Sequence, residues 1–150
     1  MGAPQKILSQ NINDKSKVHA TSRNNRSPKM LNFNLFRLAH RVYPDLCVID
    51  GFEGLQGDGP NEGTAVESKV ALAGTDFVAV DRIGLELMGI PWENVGYLQY
   101  CAIGGLGQGD RSKIKMLGPD PGKYVKEYQL HTNIEWQYTW KDDLIVVEKN

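Results

Sequence analysis

Apolar and polar positions divide the chain into segments of different period. Residues 1–27 are mostly Asn, Ser, Lys and Arg with few apolar positions, which predicts a polar arm or long loop. Ser27-Pro28 then suits an N-cap followed by the first helical position, where proline's missing N–H costs nothing. Leu31, Leu35, Leu38 and Val42 recur at helical spacing, and Pro44 stops the element, so a helix is predicted over 28–43. His40 is read as a boundary residue of that helix. Residues 46–49 form a continuous apolar run ending in Asp50, and residues 69–74 form a second one. Runs of this kind, bounded by turn residues, predict strands buried on both faces of a parallel sheet. Between them, residues 50–63 hold five glycines, one proline and four carboxylates, and read as a loop.

After the second run, Thr75 or Asp76 caps a helix predicted over 76–89, with Arg82 and Glu86 spaced to pair across one turn and Gly89 as its stop. A further helix is predicted over 92–102. The glycine cluster 104–109 does not fit dinucleotide-loop spacing and follows a helix rather than a strand, so chain reversal is its expected role. Residues 113–116 alternate and predict an edge-like strand. Ile134, Trp136, Tyr138 and Trp140 alternate with polar residues, and 144–147 is apolar, which predicts a C-terminal hairpin with a Trp/Tyr face belonging to the core. The resulting fold class is α/β: a mainly parallel or mixed sheet flanked by helices, with a C-terminal antiparallel hairpin. Its expected divisions are a polar arm over 1–27, an α/β core over 28–118 and a hairpin extension of the same domain over 119–150.

Composition narrows this picture. A chain of 150 residues with 41% hydrophobic and 23% charged residues is one globular domain by length and content. No window approaches eighteen apolar residues, and the first fifteen lack the apolar stretch of a signal peptide, so no membrane span and a cytoplasmic location are expected. Cys47 and Cys101 sit in apolar segments and read as reduced core thiols. The net charge of −1 conceals an asymmetry. Residues 1–44 carry eight Lys/Arg against Asp14, and residues 45–110 carry eleven acids against Lys69 and Arg82. Internal charge matching is the preferred reading, and an arm that meets an anionic ligand is the other. Residues 1–29 lack interleaved aromatics, which argues against nucleic acid as partner.

Candidate chemistry follows from the acidic, glycine-rich stretch. Ligands of open parallel sheets bind beyond the carboxyl ends of strands. Asp50 ends one predicted strand and Asp76 follows the end of another, with Asp81 at the rim. Asp50, Glu53, Asp58 and Asn61 are oxygen donors of the type Mg²⁺ or Ca²⁺ prefers, although their spacing matches no EF-hand. Two readings stay open: a divalent-ion site with Asp50 and Asp58 as ligands, or a rigid turn whose carboxylates bond local amides. His19, with Lys17 and Arg23, is placed to close over the crevice from the arm. The candidate ligand-binding set is thus His19, Asp50, Glu53, Asp58, Asn61, Asp76 and Asp81.

An ordered series of segments adds a resemblance. The segments 44–51, 57–63, 73–81, 87–90 and 104–107 together resemble the C-terminal part of a prokaryotic family catalogued as domain of unknown function 362, whose members are often labelled uncharacterised iron–sulfur proteins. The similarity is read over about residues 16–118. Family members often carry a ferredoxin-like cysteine run; this chain has two cysteines, so no iron–sulfur cluster is expected from it alone. They also usually carry upstream strands, here replaced by the polar arm, which leaves an open sheet edge for a second chain. The resemblance implies an α/β domain and leaves the reaction open. The reading it supports is a redox- or metal-associated protein that binds a small anionic ligand or divalent ion at 50–63. The alternative is a non-catalytic module docking on an electron-transfer or cluster-carrying partner. A homodimer is expected from the open edge.

Overall fold

The computed structural model describes residues 28–141, and the polar arm, the expected cap Ser27 and the predicted return strand 144–147 lie outside the described residues. The order of elements is helix α1 (Pro28–Ala39), strands β1 (Cys47–Asp58) and β2 (Glu62–Gly74), helix α2 (Phe77–Leu87), a 3₁₀ turn (Trp92–Asn94) and helix α3 (Gly96–Ile103). Two further 3₁₀ turns (Arg111–Lys113 and Pro121–Tyr124) lead to a short helix α4 (Ile134–Tyr138) and a final 3₁₀ turn (Thr139–Lys141). Helices and a sheet make this a mixed α/β fold.

The sheet departs from the expected parallel or mixed arrangement: among the described residues it is one two-stranded antiparallel ribbon. The two apolar runs are adjacent as expected, Cys47 opposite Gly74 and Gly51 opposite Val70, but the supposed loop 50–63 continues both strands to a tight turn beyond Asp58. The glycines misled the reading because here they serve packing. A Cβ at Gly51 would lie 2.9 Å from Val70 Cγ2, and one at Gly54 would collide with the Tyr128 ring. Glycine in a strand marks a place where something else comes close. Between the Gly51–Val70 and Glu53–Glu67 pairs, β2 carries two residues opposite Phe52, a bulge in which Lys69 takes a left-handed φ of 54°.

The ribbon is not buried on both faces either. Ile49, Val66, Val70 and Leu72 turn inward, whereas Val48 (62% exposed), Phe52 (61%), Ala71 and Ala73 face out. The alternation predicted for half-buried strands was hidden by small and apolar residues on the outer side.

The core lies between α1, α2, α3 and the last 3₁₀ turn: Phe36, Phe77, Val78, Leu98, Tyr100, Cys101 and Trp140 are buried together. In α1 the buried stripe is Phe36 with Asn34, and Phe33 packs against it, while Leu31, Leu35 and Leu38 stay partly exposed at 37–47% and Val42, beyond the helix, is 67% exposed. Two apolar stripes share this helix, and the aromatic one, with more area to remove from water, turns inward. His40 sits just past the end of α1, half-buried, its ring 4.7 Å from that of Phe36, which fits the boundary role.

Asp76 is the N-cap of α2, accepting from Ala79 N at 3.0 Å, and Gly89 follows the helix with φ 68°. The expected Arg82–Glu86 pair does not form. Glu86 is bound by Arg111 across the molecule, and Arg82 stacks over Trp92 at 5.2 Å from the ring centroid.

The predicted strand 113–116 is instead a 3₁₀ turn followed by irregular chain. Asp110 accepts from Ser112 N and Oγ and pairs with Lys113, so side-chain bonds outcompete a ladder. The predicted C-terminal hairpin is also corrected over 134–141, which is helical: Gln137 N bonds Asn133 O, and Thr139 Oγ1 bonds Trp136 O. Of the alternating aromatics only Trp140 is buried (4% exposed), and Trp136 is half exposed. Four alternating residues are too few to distinguish a strand from a single helical turn with one inward ring.

Candidate functional site

A strap, residues 125–133, crosses from the end of α2 to the tip of the ribbon and makes a cleft. On the helix side, Lys126 N bonds Leu87 O at 2.8 Å and Tyr128 N bonds Met88 O at 3.0 Å. On the ribbon side, Gly57 N bonds Gln129 O at 2.8 Å, and Gln129 N bonds the Gln56 side chain at 2.9 Å. The strap therefore pairs with the far end of β1 where α2 and the ribbon diverge. Gly57 keeps a φ of 73° there, a left-handed conformation that favours glycine.

Two cavities open around this strap. The larger, about 770 Å³, lies between α1, the ribbon tip, the strap and α4, with Tyr97, Trp136, Tyr138 and Trp140 among its walls. The smaller, about 300 Å³, lies between the inner ribbon face and α2. Leu55, Met88, Tyr97 and Tyr128 border both. These sizes fall in the range of small-molecule sites, roughly 300–1,000 Å³, which are mostly apolar with a few placed polar groups.

The placed polar groups are hydroxyls and one carboxylate. Tyr128 and Ser68 hydroxyls lie 2.9 Å apart across the small cavity, and Tyr97 donates its hydroxyl to Asp81 Oδ2 at 2.8 Å. Burial pushes the Asp81 carboxyl above the ordinary carboxylate range, and the Tyr97 bond acts in the opposite direction. Burial also raises the Tyr97 hydroxyl, reinforced by the Asp81 charge beside it, so Tyr97 stays protonated and remains a donor.

The residues expected from sequence are distributed over the molecule. Asp50 and Asp81 border the same small cavity. The Asp50 carboxylate is itself exposed on β1 and accepts from Phe52 N at 3.0 Å. Glu53 is exposed opposite Glu67, which pairs with Lys69 at 2.9 Å. Asn61 is exposed in the ribbon turn. Asp58 accepts from Thr132 N at 2.8 Å, which holds its carboxyl below the usual range. His131 Nδ1 lies 3.3 Å from Asp58 and accepts from Asn133 N at 3.0 Å. Asp76 binds two amides, Ala79 N and, at 2.8 Å, Gln108 N. His19 lies outside the described residues, as do Lys17 and Arg23. Among the described residues, no group of three or more His, Cys, Asp or Glu side chains converges in a way that could hold a metal ion.

Sequence reasoning missed Tyr97, Tyr128, Ser68 and the strap. The signal available was the run 124–141, which holds three of the chain's six Tyr, two of its three Trp, and Gln129 and Gln137. Aromatic faces with amide groups are a common lining for ligand sites.

The profile of the family described as Domain of unknown function (DUF362) matches residues 7–86, more than half of the chain. That match begins earlier and ends earlier than the 16–118 span read from motifs. It covers β1, β2 and nearly all of α2, and stops short of the strap. No curated protein and no solved structure matches the chain. Among the described residues, no helix is long and apolar enough to cross a membrane.

Proposed function

The chain belongs to the family of unknown function DUF362, and on that premise we propose that it binds a small, ring-bearing molecule in the cleft under the strap. The observation that carries this is the pair of neighbouring cavities, apolar and aromatic over most of their walls, with Tyr97 and Tyr128 common to both. A packed core closes such space with its own side chains. Here five aromatic rings and a cross-linking strap hold it open instead.

The expected small anionic ligand fits this cleft poorly, because Asp81 borders the inner cavity and no Lys or Arg among the described residues lines either one. The divalent-ion reading of 50–63 has less support than the turn reading, since Asp58 and Asp76 already bind backbone amides. Docking on an electron-transfer partner, and association with a second copy, draw their support from the ribbon's apolar outer face.

Thermal melting against a set of ring-bearing fragments tests the proposal. Binders should raise the midpoint of the wild type and leave Ile90→Trp, which places an indole ring among the cleft walls, unmoved. If no fragment binds, or binding survives in Ile90→Trp, the cleft is not the site. A midpoint that rises with Mg²⁺, Ca²⁺ or Mn²⁺ and no longer does so in Asp58→Asn would move the site to the acidic turn.

A further inference from the structure

We infer that the ligand of this cleft carries a positive charge, an alkylammonium group seated on Asp81 with an apolar or aromatic body extending past Tyr97. This rests on the proposal that the cleft is a ligand site and specifies what it takes.

The Asp81 carboxylate has no counter-charge among the described residues. Asp81 projects from α2 into the inner cavity, whose other walls include Ile49, Val70, Leu72, Leu85 and Leu98. Carboxylates taken out of water are normally matched by a cation or several donors. Asp81 has one hydrogen bond, from the Tyr97 hydroxyl, and no ion pair among the described residues. The neighbouring cation is committed elsewhere: Arg82 lies over Trp92. Asp50 borders the cavity from β1, but its carboxylate is on the exposed face of the ribbon and brings no counter-charge to Asp81. Cys47 and Cys101, the nearby thiols, are both held protonated by burial and supply no charge.

The surrounding groups suit an ammonium ion. Its three N–H donors match the Asp81 carboxylate and hydroxyl oxygens such as those of Tyr97, Tyr128 and Ser68. Ring faces attract cations, and Tyr97 and Tyr128 border both the inner cavity and the aromatic cleft. The larger cleft has His131 as its one ionisable wall apart from tyrosines among the described residues, so it suits the uncharged body of the molecule. An anion would meet Asp81 without a counter-charge, and a neutral molecule would leave Asp81 as it is.

Three probes that share one ring and differ in charge test this: phenethylamine, 2-phenylethanol and phenylacetate, titrated by calorimetry or amide shifts at pH 7.5. The amine should bind about tenfold or more tighter than the alcohol, the size of a hydrogen bond to a charged group. Phenylacetate should bind weakest. In Asp81→Asn, which keeps an oxygen acceptor for Tyr97, amine and alcohol should converge. If the alcohol binds as well as the amine, or the preference persists in Asp81→Asn, the cationic assignment is wrong while the cleft remains a ligand site. If none of the three binds the wild type, both ideas fall.

Discussion

Tyr97 and Asp81 form the contact at which the residue-scale chemistry can be read most directly. Burial raises the Asp81 carboxyl, so its folded value lies above its unfolded one. Such a group favours folding in acid, and that contribution is lost as pH rises through the raised value, because the folded state must then carry a desolvated charge. The Tyr97 hydroxyl bond favours the charged form and offsets part of this cost. Tyr97→Phe should therefore destabilise by about 1–3 kcal/mol near neutral pH, and by less as the pH falls through the raised Asp81 value. Urea unfolding across the acid range measures it, and a loss that stays the same at every pH would show that the bond does not depend on the Asp81 charge. The two thiols make a second contrast. Cys101 is fully buried and pushed up to about 12, with burial the first cause and the Asp81 charge the second. Cys47 is half-buried and raised less decisively, again by burial first. Both readings as free thiols hold, but full burial holds only for Cys101. Thiol-reagent labelling under native conditions should modify Cys47 slowly and Cys101 only on unfolding. Rapid modification of Cys101 would show that the core between α2 and α3 opens.

At the scale of elements, Asp76 joins two of them. It caps α2 through Ala79 N and holds Gln108 N in the glycine segment that follows α3. Gly107 packs so closely on Asp76 and Val78 that a Cβ there would lie 2.7 Å from Val78 Cβ. Asp76→Ala removes a helix cap and leaves two amides without their acceptor, so a loss of about 2–4 kcal/mol is expected. Asp76→Asn retains one carbonyl acceptor and should cost less. A cost under 1 kcal/mol for Asp76→Ala in chemical denaturation would mean that water replaces the carboxylate at both amides. This element was legible: an Asp before an amphipathic run is a helix start, and a glycine cluster after a helix is a reversal. The ribbon was half legible. Its two apolar runs were identified and are neighbours, Cys47 opposite Gly74. Their direction was not, because it depends on whether 50–63 is a loop or two strands. That choice turns on Tyr128 packing over Gly54 and on the strap bonding Gly57, contacts from residues more than seventy positions away. The site was obscured for the same reason. Asp81 could be named from sequence, but its partner Tyr97 and the strap that roofs the cavity are placed by tertiary packing.

For the whole molecule, the outer face of the ribbon sets the remaining question. An isolated two-stranded ribbon is marginally stable in water and needs a covering layer or further strands. Here α2 covers the inner face, and the strap pairs with β1 near Gly57. Among the described residues, β2 has no neighbour on its other side, and nothing covers Val48, Phe52, Ala71 and Ala73. Large side chains on β1 face out beside small ones on β2, so one face offers both a ridge and a shallow groove. Two copies related by a twofold axis can therefore seat ridge in groove, as an isologous interface requires. Asp50, at the middle of this face, sets a limit, because like charges brought together there oppose the contact. Association should then strengthen with added salt, since screening reduces that repulsion while the apolar contact remains. The expected outcome is a dimer at micromolar concentration by light scattering, more complete at 0.5 M than at 0.05 M salt. Val48→Lys should leave a folded monomer. A monomer for the wild type at every salt and protein concentration would sink the dimer, and a dimer that survives Val48→Lys would place the contact on another face.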